Sequence, residues 1–133
     1  MIVLEGSLRL EIRNVRGKGR GVFFKPLSCH GEWILAGKLF SSPVIVFPNG
    51  AASGLIHNYT FEWDDDTSAI ALGIGSLFNH SYNPNVVYRM DRSNKAIKFI
   101  ARRKIVSGEE LTINYNFDPE DKSPVGFRVK GDR

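Results

Sequence analysis

The sequence predicts a mainly β domain made of several small sheets. Three observations point that way. Runs of apolar–polar alternation, or of continuous apolar residues, are short. Turn-forming residues separate them. No long stretch places apolar residues at helical spacing, so helical structure is expected only as short turns.

The first strand is Leu8-Arg9-Leu10-Glu11-Ile12-Arg13, where apolar and charged residues alternate. Val15 to Gly21 is rich in glycine and basic residues and is expected to be irregular. Val22-Phe23-Phe24 follows as a strand stopped by Pro26. Trp33-Ile34-Leu35 and Val44-Ile45-Val46-Phe47 read as two more short strands, the second bounded by Pro43 and Pro48. Asn49-Gly50 is a turn signal. Leu55 to Trp63 fits both periods and is taken as extended. Residues 85–92 and 95–103 form a hairpin through Arg92-Ser93-Asn94, and Ser107-Gly108 turns into a last strand that Tyr115 ends.

The chain of 133 residues suits one domain with one core, taken as residues 8–117 with a tail at 118–133. Its hydrophobic share of 42% is that of a soluble globular protein, and no apolar run is long enough to span a membrane. Met1-Ile2-Val3-Leu4-Glu5 is charged too soon for a secretory signal, so a cytoplasmic or nuclear location is expected. Cys29 is the single cysteine. It excludes an internal disulfide and a cysteine zinc cluster, and reads as a packing residue rather than a catalytic thiol. Net charge is +4, with seven basic residues and one acid between Arg89 and Lys104. Phe99 is the only aromatic within that run, so solvated strand faces are favoured over a nucleic-acid surface. The acidic run Glu62-Trp63-Asp64-Asp65-Asp66 is either a solvated loop or an attractor for a basic peptide.

The stretch with the densest chemistry is Gly73 to Asn85, GIGSLFNHSYNPN. Apolar segments flank it, yet it holds Asn79, His80, Ser81, Asn83 and Asn85. A short helical turn through residues 76–79, running into a turn at Asn83-Pro84, would reconcile these demands. Buried amides and an imidazole need partners, and a ligand can supply one.

Asn79-His80-Ser81 with Pro84-Asn85 resembles a signature of SET-domain protein methyltransferases. Gly108-Glu109-Glu110-Leu111-Thr112-Ile113-Asn114-Tyr115 resembles their second signature, and Gly19-Arg20-Gly21 resembles the glycine pair near their N-terminus. The three occur in the family's order and span most of the chain. The resemblance implies a SET-type β-clip fold with a pseudoknot, in which the Asn-His-Ser segment passes beneath the loop after the tyrosine strand. It implies S-adenosyl-L-methionine as cofactor, no metal, and methyl transfer to a lysine amine of a protein, a histone or another basic protein.

Under that resemblance each motif has a task. Gly19 and Gly21 allow close backbone approach to the cofactor, with Lys18 and Arg20 beside its carboxylate. Asn79 suits its ammonium or carboxylate, His80 offers a flat ring and two nitrogens, and backbone groups of the pair are expected on the adenine. Ser81 and Asn85 hold the turn. Tyr115 is the catalytic candidate, because a phenol is apolar enough for a lysine channel and polar enough to orient an amine. Tyr59 is a second channel wall. Leu77 and Phe78 lend carbonyls while their side chains pack inside. Many family members carry cysteine where Tyr82 stands, and a zinc module after the last tyrosine. This chain has neither, so Phe117 or Phe127 is expected to close the adenine side, with Gly126 leaving that wall thin. A homodimer contact could complete the groove. The alternatives are a SET-like adaptor without turnover and a basic β domain that binds nucleic acid. Asn79, His80 and Tyr115 together favour the enzyme.

Overall fold

A computed structural model describes residues 2–5, 8–24, 35–51, 59–106 and 108–125. Among these residues the strands are β1 (Ile2–Glu5), β2 (Leu8–Val15), β3 (Gly19–Phe24), β4 (Leu35–Pro48), β5 (Thr60–Glu62), β6 (Thr67–Ala71), β7 (Asn79–His80), β8 (Val86–Asp91), β9 (Ala96–Ile105) and β10 (Glu110–Ile113). They form two five-stranded sheets, ordered β1-β2-β3-β10-β7 and β5-β6-β4-β9-β8. The mainly β expectation holds.

The alternating run at the start of the chain becomes β2, paired antiparallel with β3 from Leu10↔Phe24 to Val15↔Gly19. The glycine-rich stretch is more regular than expected. Only residues 16–18 turn, closed by the Lys18 amide donating to the Val15 carbonyl at 3.0 Å, and Gly19 to Gly21 already belong to β3. Tight pairing to β2 overrides the local preference of glycine for irregular backbone.

The expected short strand at Val44 to Phe47 is part of a 14-residue strand that runs through Pro43. The explanation lies in a change of partner. Residues Leu35 to Pro43 pair with β9, and Val44 to Pro48 pair with β6. Proline has no N–H to offer, and Pro43 stands where one ladder hands over to the other. Its carbonyl is still used, accepting from the Leu72 amide at 2.8 Å. Trp33 and Ile34 lie outside the described residues, as do residues 52–58, Cys29 and Phe127. Of the segment Leu55 to Trp63, the described part holds β5. The β8–β9 hairpin is as expected, turning through residues 92–95.

The core is one cluster centred on Phe99, which is fully buried. Phe78 packs 4.8 Å from Phe99 and 5.9 Å from Phe40, ring centre to ring centre. Burying such rings contributes a few kcal/mol each, about 3–5 kcal/mol by truncation to alanine. Phe78 thereby anchors the Gly73 to Asn85 stretch by its middle. The helical turn in that stretch is a 3-10 turn at Gly73–Ser76, three residues earlier than expected, and Asn79–His80 is strand. Gly75 explains the shift. A Cβ there would run into the Ser42 side chain and approach the Phe99 ring to 2.9 Å, so the tight turn is pressed against the core. The basic run is mostly engaged: Lys98 with Asp91 at 3.8 Å, Arg103 with Glu109 at 2.7 Å, Arg102 with Glu120, and Arg92 on the Trp63 carbonyl.

Candidate functional site

β7 is two residues long, and its position follows from its neighbours. It pairs in parallel with β10, in the register Asn79↔Thr112 and His80↔Ile113, and the Ser81 amide continues the ladder by donating to the Ile113 carbonyl at 2.9 Å. Asn85 fastens the two segments. Its side chain is almost fully buried, donates to the Glu110 carbonyl at 2.7 Å and accepts from the Thr112 amide at 2.8 Å. Asn85 was expected to hold its own turn; it also clamps β10, bridging 27 residues of sequence. Ser81 does hold the turn, its Oγ accepting from the Asn83 amide at 2.9 Å.

Tyr115 is not the end of a strand. β10 stops at Ile113, and Tyr115 lies in the turn beyond it. Asn114 makes that turn: its side-chain oxygen accepts from the Asn116 amide at 2.9 Å and its carbonyl from the Phe117 amide at 2.9 Å. Such local bonding competes with strand continuation. The turn aims Tyr115 back at β7. Its amide donates to His80 Nδ1 at 3.0 Å, and its hydroxyl donates to the Phe78 carbonyl at 2.7 Å. The His80 and Tyr115 ring centres are 5.1 Å apart. Burial pushes the Tyr115 hydroxyl up to about 12, helped by the charges of Tyr59 and Glu110.

Two groups of side chains adjoin the residues of this contact. The first is Asn79, Lys18, Arg20, Gly21 and Glu110. Asn79 Nδ2 donates to the Arg20 carbonyl at 3.1 Å and to Glu110 Oε2 at 2.7 Å, and Lys18 Nζ is 4.0 Å from Glu110 Oε1. A Cβ on Gly21 would lie 2.5 Å from Glu110 Oε2 and 2.9 Å from Asn79 Nδ2. Gly19 has φ of +77°, open to glycine and strained for other residues.

The second walls a groove of about 1120 Å³: Tyr59, Phe61, Phe78, Tyr88, Tyr115 and Phe117. Tyr88 is buried, its hydroxyl held protonated first by desolvation and then by the charges of Glu62 and Tyr115, while a backbone bond from Phe117 pulls the other way. Phe117, expected beside the adenine, has its ring edge-on to Tyr88 at 5.2 Å with the Arg89 guanidinium 5.4 Å above it. Phe78 keeps its ring in the core while its carbonyl serves Tyr115; Leu77 packs on the same core.

Sequence reasoning passed over Glu110, although the doubled acid at Glu109-Glu110 was its signal. It gave Tyr82 no contact. The structure ties residues 114–123 to Tyr82: its hydroxyl donates to the Ser123 carbonyl at 2.9 Å, and Lys122 Nζ donates to its carbonyl at 2.5 Å. Asn114 and Asn116 also donate to the carbonyls of Asp121 and Ser123, each at 2.7 Å. Among the described residues no three His, Cys, Asp or Glu side chains converge as a metal cage, and no helix is long and apolar enough to cross a membrane.

The SET domain profile matches residues 12–116, most of the chain. The chain belongs to the SET-domain family. A curated histone-lysine N-methyltransferase of Schizosaccharomyces pombe, named as specific for H3 lysine-37, is 36% identical over 80% of this SET domain protein and 72% of its own length. Histone-lysine N-methyltransferase trr of Drosophila melanogaster is 39% identical over 49% of the chain, which spans only 3% of that much longer protein. A solved Plasmodium falciparum structure, described as a candidate histone methyltransferase, matches with a TM-score of 0.61 at 23% identity, over 80% of this chain and 96% of the other. It supports the SET fold, and with it the β-clip of small sheets expected from the motifs.

Proposed function

We propose that this SET domain transfers a methyl group from S-adenosylmethionine to a lysine amine of a protein, and that histone H3 is the first substrate to test. One observation carries the assignment of residues. Tyr115 lines an aromatic groove and is held at two points, its hydroxyl by the Phe78 carbonyl and its backbone amide by His80, the neighbour of Asn79. Histone H3 is suggested by the name of the Schizosaccharomyces pombe relative, specific for H3 lysine-37.

The cluster around Asn79 fits the methionine end of the cofactor. Open backbone at Gly19 admits close approach, while the space over Gly21 is filled by Glu110, Asn79 and Val15. Both hydrogens of Asn79 Nδ2 are committed to Arg20 and Glu110, which leaves Oδ1 as the end that receives a ligand donor, an ammonium rather than a carboxylate. Lys18 is drawn towards Glu110, so the backbone, with Arg20 near it, is the better candidate for the carboxylate. His80, between the rings of Tyr82 at 4.4 Å and Tyr115, belongs to the adenine side in this reading. When bound, the cofactor supplies an electrophilic methyl on a cationic sulfur.

The chain's own residues orient the amine. Free lysine titrates near ~10.4, and entry into an aromatic channel favours the neutral amine by desolvation, its proton passing to solvent through the open groove. Tyr115 does not take that proton. With its hydroxyl pushed up to about 12 it stays protonated at neutral pH, and its hydrogen is committed to the Phe78 carbonyl. The phenol oxygen is left to accept an N–H of the amine, which turns the lone pair towards the methyl. Tyr59 and Phe78 limit the amine's sideways motion. Phe117, edge-on to Tyr88 and beneath the Arg89 guanidinium, covers the groove mouth in this reading and bears on the peptide as well as on the cofactor.

The test is incubation of the protein with labelled cofactor and histone H3, with methylated lysines located by mass spectrometry. Transfer by the wild type and its loss in Tyr115→Phe is the expected result. Absence of cofactor binding by calorimetry would sink the proposal.

A further inference from the structure

A side-chain amide has a donating and an accepting end of nearly the same shape, and the two ends recognise opposite chemistry. Which end of Asn79 meets a ligand therefore has to be fixed by something else. Its Nδ2 faces two acceptors, the Arg20 carbonyl at 3.1 Å and Glu110 Oε2 at 2.7 Å. A carbonyl and a carboxylate have no proton to give. Turning the amide over would press Oδ1 against two other oxygens with no hydrogen among the three. Among the described residues, Asn79 Oδ1 itself receives no hydrogen bond.

Glu110 cannot readily swing away. Its second oxygen is 4.0 Å from Lys18 Nζ, its carbonyl accepts from Asn85 Nδ2 at 2.7 Å, and it pairs with Phe23 across β3 and β10. The bare backbone of Gly21 leaves its carboxylate room, since any Cβ there would strike both Glu110 and Asn79. A charged acceptor makes a stronger bond than a neutral one, so Glu110 dominates over Arg20 in setting the orientation.

We infer that Glu110 is a positioning residue for this site: its carboxylate locks the Asn79 amide so that Oδ1 is the end offered to a bound ligand. Glu110 touches no reacting atom and acts through Asn79. The inference rests on the methyltransferase reading only for the ligand's identity, the cofactor ammonium. It predicts that the pocket prefers a ligand with an amine to the same ligand lacking it, and that the preference depends on Glu110.

Two measurements test it together. In the ligand-free wild type, the two Asn79 side-chain amide protons should be resolved by NMR and protected from exchange. In Glu110→Gln that protection should fall about tenfold, since glutamine can present its own NH2 and lets the amide turn over. In calorimetry, E110Q should weaken S-adenosylmethionine binding about tenfold and shrink the preference over the desamino analogue. In an Asn79→Ala background the same change should cost less than about twofold, the signature of an effect that runs through Asn79. An equal cost with and without Asn79 would overturn the inference, as would unprotected Asn79 protons in the wild type. Should the wild type bind no cofactor, the methyltransferase reading falls, and the amide protons still decide the role of Glu110. They also decide alone if N79A binds too weakly to measure.

Discussion

Tyr115 combines an exposed ring flank with a tethered hydroxyl. The residue is 40% exposed, yet its O–H is spent on the Phe78 carbonyl and its backbone N–H on His80. Tyr115→Phe keeps the ring and removes both the bond to the Phe78 carbonyl and the acceptor for the amine. We expect turnover to fall at least about 100-fold with cofactor affinity nearly unchanged, compared by single-turnover methylation and calorimetry. The hydroxyl also has an alkaline signature. Its folded value is raised to about 12 from 10.0, so the native state holds this proton longer than the unfolded chain. The stability it contributes is complete below pH 10 and is lost as pH rises towards 12. Denaturant unfolding between those values should show a steeper loss in wild type than in Tyr115→Phe. At this scale the sequence was informative about residue type and silent about partners. A phenol after Asn114 was legible as chemistry. That its partner is a carbonyl 37 residues away was not, because hydrogen bonds of that reach leave no local pattern. Glu110 was passed over for the same reason: its role depends on Asn79, 31 residues distant.

Among the elements, β7 is the least secure by itself and the most constrained by others. Two residues make no periodic signal, so neither strand identity nor the parallel partner could be read from the sequence. What holds β7 in register is Asn85, whose amide satisfies backbone groups of β10 in a buried place. Asn85→Ala leaves the Thr112 N–H and the Glu110 carbonyl without that partner. It should cost about 3 kcal/mol in urea unfolding, and should impair methylation through the displaced Tyr115. Gly21→Ala tests the other edge of the site. Its new methyl meets Glu110, Asn79 and Val15 at or under 2.9 Å, an overpacking that should cost about 1–3 kcal/mol and reduce cofactor affinity more than it reduces stability. Measuring both quantities on one preparation separates a crowded pocket from a weakened fold. Pro43 illustrates the opposite failure of sequence reading. A local rule places a strand boundary there, and a change of pairing partner, a long-range fact, allows the strand to continue.

At the level of the whole molecule, one segment does what the two sheets leave undone. Residues 114–123 fold back over Tyr82 and contribute Asn116, Asp121 and Ser123 to the groove. Tyr82→Phe removes the bond to the Ser123 carbonyl. Loss of about 1 kcal/mol there should open the segment about fivefold more often, seen as faster tryptic cleavage after Lys122 with cleavage in the sheets unchanged. The mainly β character was legible from short apolar runs and turn signals, and the order of the motifs from the family resemblance they carry. The way residues 114–123 return to the site was not, since the contacts are to backbone carbonyls that any sequence supplies.

The parallel union of β7 with β10 also bears on how the protein is made. Strands that lie side by side in the same direction cannot zip from a tight turn, and contacts of this separation are slow to form. Asn79 and His80 leave the ribosome well before Glu110, Tyr115 and Ser123. The nascent chain therefore carries the signature residues through a period when no pocket exists to receive them, until the later segment joins.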